Sequence, residues 1–181
     1  MTSTGCLRVG QQDPDFTATA VVDQEFKTIS LSDYRGKYVV LFFYPLDFTF
    51  VCPTEIIGYG DLKGDFADRD AVLIGASTDT DFVHFAWRKS DERLAACDFP
   101  WLADNSKLLA DALGIIVAGA GVPLRATFII DPENVIQHIT VNGLNVGRNP
   151  AETLRILDAL QTDELCPCNW TEGQDTLKPA A

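Results

Sequence analysis

The chain has 181 residues, of which 46% are hydrophobic and 22% are charged, values typical of one compact globular domain with a substantial core. Its formal net charge of −12 disfavours nucleic acid and anionic membranes as partners, because both repel an acidic protein. The longest apolar run, residues 38–44, is far too short to span a bilayer. Residues 1–16 lack a basic start followed by an apolar run, so we expect no secretory signal and a cytoplasmic location.

The first predicted elements are two buried strands, each followed by a helix. They are strand 38–44, helix 53–69, strand 71–77 and helix 79–94. Both strands are continuous apolar runs, which indicates burial on both faces, and the helices have apolar residues at three- and four-residue steps. Glycines at 58, 60 and 64 weaken the first helix by up to about 1 kcal/mol each, so we expect it to bend or to depend on tertiary contacts.

The second half of the chain predicts an antiparallel hairpin and a last helix. The hairpin comprises strands 126–131 and 135–141 around a turn at 132–134. Asn149 and Pro150 have the residue types of a helix cap and a first helical position, so the last helix is expected to start there and to run to about residue 162.

This order of elements predicts an α/β fold with a mixed central sheet flanked by helices. The hairpin would supply antiparallel strands at the edge of that sheet. The succession of elements is that of a thioredoxin-like fold, which we expect over residues 1–162. Residues 163–181 are polar and rich in helix breakers, and we expect them to form a C-terminal arm.

The chain contains five cysteines, at positions 6, 52, 97, 166 and 168. An odd number in a chain of this kind does not indicate a framework of structural disulfides, and the absence of a C-x-x-C pair disfavours an ordinary dithiol oxidoreductase. Metal binding by Cys166 and Cys168 together is an alternative, disfavoured because a closed zinc site needs about four ligands. Cys6 and Cys97 are predicted to take no part in catalysis.

Cys52 is the cysteine whose predicted position most favours a reactive thiol. It lies where the loop after the first strand turns into a helix, with Pro53 at the expected first helical position. Unpaired N–H groups and a partial positive charge at a helix start favour an anion there. The thiolate is the form of cysteine that attacks peroxides. The helix start alone does not guarantee the thiolate, so we expect a cationic side chain nearby.

The residues around Cys52 resemble the active-site motif of peroxiredoxins. Pro45, Thr49 and Cys52 give P-x-x-x-T-x-x-C, and the block DFTFVCPTE is similar to typical two-cysteine peroxiredoxins of the bacterial alkyl hydroperoxide reductase peroxidase-subunit type. Four further stretches agree with that family in order and spacing: HFAWR at 84–88, RATFIID at 125–131, NVGRN at 145–149 and ELCPCNW at 164–170.

The resemblance assigns roles to individual residues. It implies that Cys52 is the peroxidatic cysteine, that Thr49 positions the peroxide and that Pro45 covers the thiolate. Arg125 would be the cation beside the sulfur and would stabilise the negative charge that develops on oxygen. Attack on a hydroperoxide would convert the Cys52 thiol to a sulfenic acid and release water or an alcohol.

Several of these residues also have simpler interpretations. Thr49 is equally suited to cap a helix. Glu55 is expected either to hold an active-site arginine or only to favour the helix start, and Arg148 to be either a supporting cation or a surface charge. His84 and His138 are expected to be interface or hydrogen-bonded structural residues, and the tryptophans at 87 and 170 to be packing groups.

The resemblance also implies how the enzyme is regenerated. Cys166 matches the resolving cysteine, which in this family comes from the partner subunit of a homodimer, often within a ring of five dimers. Cys168 departs from the commonest pattern, and would share the resolving role or pass the disulfide on. Electrons would come from thioredoxin or another thiol reductant protein.

The sequence therefore predicts a thiol-specific, antioxidant peroxidase that acts on hydrogen peroxide and organic hydroperoxides. No haem, flavin, metal or nicotinamide motif occurs, so no cofactor is expected. A holdase chaperone or redox-signalling relay that uses the same thiol is a rival interpretation. A catalytically inactive thioredoxin-like binding module agrees poorly with the intact set of Pro45, Thr49, Cys52 and Arg125.

Overall fold

The computed structural model describes residues 8–179, and Cys6 lies outside this range. The strands are β1 (Thr17–Val22), β2 (Glu25–Ser30), β3 (Tyr38–Phe43), β4 (Ala71–Ser77), β5 (Trp101–Ala103), β6 (Arg125–Ile130) and β7 (Ile136–Asn142). The α-helices are α1 (Cys52–Asp61), α2 (Lys63–Ala67), α3 (Asp81–Ser90), α4 (Glu92–Ala95), α5 (Leu108–Ala112) and α6 (Pro150–Gln161), and a 3₁₀ helix covers Leu31–Tyr34. None of the helices in this part of the chain is long and apolar enough to cross a membrane.

The seven strands form one mixed sheet in the order β2-β1-β5-β4-β3-β6-β7. Strands β3, β4 and β5 are parallel, and the pairs β1–β2, β1–β5, β3–β6 and β6–β7 are antiparallel. A mixed sheet flanked by helices is the architecture that the sequence predicts.

Side chains of β3 alternate between two cores, one on each face of the sheet. Val39, Leu41 and Phe43 contribute to the first core, which the 3₁₀ helix and α5 cover. Val40 and Phe42 contribute to the second, which also contains buried residues of α1, α3, α4 and α6. This alternation follows from the two-residue period of a strand, and both faces are apolar because both are covered. Cys52 belongs to the second core.

The predicted bend in the first long helix is confirmed. Residues 53–69 form two helices, α1 and α2, which meet at Leu62. Gly60 lies in α1 where there is no room for a side chain, because a Cβ at that position would lie 2.4 Å from the sulfur of Cys97. The predicted helix 79–94 is also divided, since Asp91 has an extended backbone and caps α4 by accepting from the Arg93 N–H.

The hairpin differs from the prediction in one respect. Its strands β6 and β7 pair antiparallel, but only β7 lies at the edge of the sheet, and β6 lies between β3 and β7. All six residues of β6 are buried, as expected for a strand that pairs with a neighbouring strand along each of its two edges. The last helix begins as predicted, with the Asn149 side chain accepting a hydrogen bond from the Ala151 N–H.

Candidate active site

Cys52 is the first residue of α1, and the loop 44–51 connects it to the end of β3. The expectation that Pro53 opens the helix is wrong by one residue, because Cys52 itself holds the first helical position. The N-cap residue Val51 provides no side-chain hydrogen bond to the helix start. The positive end of the helix dipole therefore lies at Cys52, whose side chain is fully buried.

Arg125 provides the cation next to this sulfur. Its Nη1 donates to Cys52 Sγ at 3.4 Å, and its Nε donates to the carbonyl oxygen of Leu144 at 2.8 Å. The sheet register explains the proximity: Phe42 pairs with Thr127 in antiparallel strands, so the start of β6 lies beside the end of β3. Burial lowers the pKa of Arg125, but its interactions with Cys52 and Glu55 outweigh this effect, so the pKa is raised and the side chain stays charged.

Glu55 joins two arginines beneath the sulfur. One carboxylate oxygen accepts from Arg125 Nη1 at 2.5 Å, and the other accepts from the side-chain Nε and the backbone N–H of Arg148 at 2.8 and 3.0 Å. The three side chains are at most 5% exposed. Two guanidinium groups and one carboxylate leave one positive charge, which suits a thiolate. Glu55 therefore bonds to both arginines, and the Arg148 side chain is buried rather than a surface charge. The roles of Glu55 and Arg148 in supporting Cys52 remain predictions.

Thr49 and Pro45 lie in the loop that leads to Cys52. Thr49 does not cap the helix: it lies two residues before the N-cap position, and its hydroxyl donates to the carbonyl oxygen of Leu46 at 2.8 Å. Pro45 is buried at the end of β3. Between them, Phe48 has a left-handed backbone with φ of 54°. The roles of Thr49 and Pro45 toward a peroxide remain predictions.

The C-terminal residues fold back on α6. The Trp170 side chain is buried, and Arg155 donates to the Trp170 carbonyl oxygen at 2.8 Å. Arg69 pairs with Asp158 of α6 and with Glu172 of the arm, the latter at 2.7 Å. Trp170 therefore bonds directly to the last helix, and Glu172 is linked to that helix through Arg69.

The two arm cysteines are not brought to Cys52 within this chain. Cys166 is half-buried, with its sulfur 3.4 Å from the Thr162 hydroxyl, and Cys168 is exposed; both are free thiols. The nearby end of α6 reaches the start of β4, since Gln161 donates to the Arg69 carbonyl oxygen. Cys52 follows the opposite end of β3, which is parallel to β4. Cys52 and Cys166 thus lie at opposite ends of the sheet.

Residues 9–139 match the AhpC/TSA family. The chain belongs to this family.

Individual relatives extend the family likeness over almost the whole chain. A putative peroxiredoxin of Porphyra purpurea is 50% identical over 182 residues, which cover 96% of this chain and 91% of that protein. Alkyl hydroperoxide reductase C of Mycolicibacterium smegmatis is 47% identical over 94% of this chain and 93% of its own. The crystal structure of a reduced 2-Cys peroxiredoxin from Plasmodium vivax superimposes with a TM-score of 0.90 at 37% identity, covering 96% and 94% of the two chains. The fold is therefore the thioredoxin-like fold of these peroxiredoxins.

The remaining residues considered in the sequence have structural environments. Burial raises the pKa of the Cys97 thiol to about 11, so this thiol stays protonated at neutral pH. His138 bonds to the Thr140 hydroxyl, and His84 is fully buried with partners at both ring nitrogens. Trp87 is buried in the second core, as expected for a packing group. Among residues 8–179, no three His, Cys, Asp or Glu side chains are grouped to hold a metal.

One polar group beneath the loop 44–51 is not evident from the sequence. Asp47 is buried there and contacts His84, which is 37 residues away in the chain. No periodicity or helix cap connects the two positions, so only the folded chain reveals their contact. Asp79, whose carboxylate accepts from the Asp47 N–H at 2.9 Å, completes the group.

Proposed function

We propose that this protein is a thiol-dependent peroxidase that reduces hydrogen peroxide and organic hydroperoxides at Cys52. The observation that carries the proposal is the contact of Arg125 with Cys52 Sγ at 3.4 Å, at the positive end of α1. A unit charge about 4 Å away interacts by roughly 4 kcal/mol at an effective dielectric of 20, a ceiling that desolvation reduces. The helix start and the arginine together favour the thiolate, which is the attacking form.

The oxidative step transfers one oxygen atom from the peroxide to sulfur. The Cys52 thiolate attacks the terminal peroxide oxygen, the O–O bond breaks, and the second oxygen leaves as water or an alcohol after it is protonated. Arg125 is placed to stabilise the charge that develops on the leaving oxygen. In this proposal Thr49 holds the peroxide, Pro45 shields the thiolate, and Glu55 with Arg148 fixes the orientation of Arg125.

The resulting sulfenic acid condenses with the Cys166 thiol of a second copy, which forms a disulfide and releases water. A disulfide needs Cα atoms within about 7 Å, whereas the six residues of β3 alone span roughly 17 Å between the two ends of the sheet. A pair within one chain would require large unfolding, so the proposed working unit is a homodimer, and an assembly of such dimers into a decamer is compatible with it.

Residues 163–181 form the arm that presents Cys166 in this cycle, and residues 1–162 form the peroxidase domain. Cys168 is exposed two residues beyond Cys166, where it either shares the resolving role or takes over the disulfide. The cycle closes when thioredoxin or another dithiol protein reduces the disulfide by thiol exchange. A compartment that keeps such donors reduced, as the cytoplasm does, suits this chemistry. No cofactor enters the cycle.

The test combines turnover with non-reducing electrophoresis. Wild type should consume peroxide with a dithiol donor, and Cys52→Ser should abolish this turnover. One equivalent of peroxide should produce a disulfide-linked dimer that requires both Cys52 and Cys166. A dimer that persists in Cys166→Ser but not in Cys168→Ser would assign the resolving role to Cys168. Unchanged turnover in Cys52→Ser would overturn the proposed function, and aggregation suppression without any turnover would favour a chaperone.

A further inference from the structure

A buried Asp–His pair holds the middle of the loop that leads to Cys52. The Asp47 side chain turns inward from the loop 44–51, and its Oδ2 lies 2.7 Å from Nδ1 of His84 on α3. Both side chains are 0% exposed. The backbone of Asp47 is fixed as well, because its N–H donates to Asp79, whose carboxylate also accepts from the Ser77 hydroxyl at 2.8 Å.

The two ring nitrogens of His84 both face hydrogen-bond acceptors. Nδ1 faces the Asp47 carboxyl group, and Nε2 lies 3.1 Å from the carbonyl oxygen of Leu102. A neutral imidazole carries only one N–H, so the pair must retain one further proton, either on His84 as an imidazolium or on Asp47 as a carboxylic acid. Both forms have no net charge and keep both hydrogen bonds. Loss of either partner would leave the other buried and unpaired.

This pair lies between the residues proposed to act on the peroxide. Asp47 is two residues after Pro45 and two before Thr49, and the next residue, Phe48, has the strained φ of 54°. Such a backbone conformation persists only where the surroundings determine it strongly. The hydroxyl of Tyr44, the first residue of the loop, also lies 3.4 Å from His84 Nδ1. The loop is therefore held from below by two elements: β4 with its following turn, and α3.

We propose that the Asp47–His84 pair is the positioning element of the peroxide site, and that it fixes the turn which orients Thr49 and Pro45 toward Cys52. Neither residue donates to or accepts from the Cys52 sulfur, so both act through the loop. The inference rests on the proposed peroxidase function and extends it to Asp47 and His84, to which the resemblance assigns no role in the reaction. It predicts that loosening this pair impairs the alignment of the peroxide while the thiolate persists.

The test compares two reactions of Cys52 in four variants. The first is the second-order reaction with hydrogen peroxide, and the second is alkylation by iodoacetamide, followed at the Cys52 peptide by mass spectrometry. Alkylation needs the thiolate but not an aligned peroxide. Asp47→Ala and His84→Gln should slow the peroxide reaction roughly 10- to 100-fold, since misplacing a reacting group by about 1 Å costs about 100-fold. Their alkylation rate should stay equal to that of wild type or rise.

Two further variants provide the rescue and the control. Asp47→Asn should recover most of the peroxide rate, because its amide can donate to Nδ1 of a neutral His84 while Nε2 still donates to Leu102. His138→Gln, which alters the other histidine, should leave both rates unchanged. Thermal melting by circular dichroism checks the folding of each variant. If His84→Gln does not fold, the comparison of Asp47→Asn with Asp47→Ala decides.

Two results would overturn the inference. One is an unchanged peroxide rate in both Asp47→Ala and His84→Gln. The other is an equal fall of the peroxide and alkylation rates, which would indicate loss of the thiolate or of the fold. A wild type that does not react with peroxide would instead overturn the proposed function itself, so the two failures are distinguishable.

Discussion

The guanidinium nitrogen of Arg125 that donates to Cys52 also donates to Glu55, at 2.5 Å. A carboxylate so close partly neutralises the positive charge that acts on the sulfur. The second buried arginine, Arg148, bonds to the other oxygen of the same carboxylate and compensates for this loss. Glu55 thus fixes the direction of Arg125, and Arg148 keeps the net charge of the group positive.

The first prediction concerns the forked geometry of Arg125. Arg125→Gln should lower the second-order rate of Cys52 with hydrogen peroxide by about 100-fold or more, the usual loss when a donor to a developing oxyanion is removed. Arg125→Lys keeps the charge but cannot bond to Leu144, Glu55 and the sulfur at the same time, so it should recover only part of the rate. Stopped-flow measurement tests this order. Equal rates for wild type and Arg125→Lys would show that charge alone is sufficient.

The second prediction concerns the stability of the buried charges. Glu55→Gln leaves Arg125 and Arg148 without their carboxylate, and breaking a buried pair costs roughly 3–5 kcal/mol of unfolding free energy. Urea unfolding measures this quantity. The matched control is Glu152→Gln, which breaks the more exposed pair with Arg155 and should cost about 1 kcal/mol or less. A loss for Glu55→Gln no larger than that of the control would contradict the prediction.

The sequence predicts the strands and helices whose side chains follow a clear pattern. β3 and β4 are continuous apolar runs, and the last helix has a cap at Asn149 that the structure confirms. The sequence alone does not indicate β1, β2, β5 or α5. In β2 only Ile29 is buried, so no alternation is visible, and β5 has three residues, fewer than a periodic pattern needs. Pairing with neighbours, rather than local preference, determines these strands.

The candidate site likewise contains some features that local sequence predicts and others that depend on the folded chain. Cys52 at a helix start is predictable from local sequence, because Pro53 and the preceding apolar run mark the boundary. The approach of Arg125 crosses 73 residues and depends on the register of β6 against β3, so only the resemblance to a known motif anticipates it. Thr49 is expected to suit a cap, yet the helix begins too late for it to act as one. A shift of a residue or two at a helix boundary changes which side chain can cap.

The third prediction is that Cys97 does not react. Its thiol is buried against α1, and burial raises its pKa to about 11, so only about 0.1% would be thiolate at pH 8. Peptide mass spectrometry after iodoacetamide treatment of the folded protein should show Cys97 unmodified when the exposed Cys168 is fully alkylated. Denatured protein should label at both positions. Equal rates at the two cysteines in the folded protein would refute the assignment.

The fourth prediction is a pH dependence of stability that arises at Asp13. Its side chain is buried, neither of its carboxyl oxygens has a hydrogen-bond partner among residues 8–179, and burial together with the nearby charge of Asp15 raises its pKa to about 7. Because the ordinary value is 3.8, the folded chain binds more protons than the unfolded chain between about pH 4 and pH 7. The contribution of Asp13 to the free energy of unfolding therefore falls as the pH rises through this window.

The full shift corresponds to roughly 4 kcal/mol, an upper bound because water can reach a loosened carboxylate. Asp13→Asn cannot ionise, so the variant should gain stability relative to wild type between pH 4 and pH 8, with most of the gain complete by about pH 7. Urea unfolding at several pH values measures this difference, in which the other titrating groups cancel. Asp68→Asn, at an exposed aspartate, is the matched control and should give a nearly constant difference. A constant difference for Asp13→Asn as well would mean that the Asp13 carboxylate is solvated or paired in the folded protein.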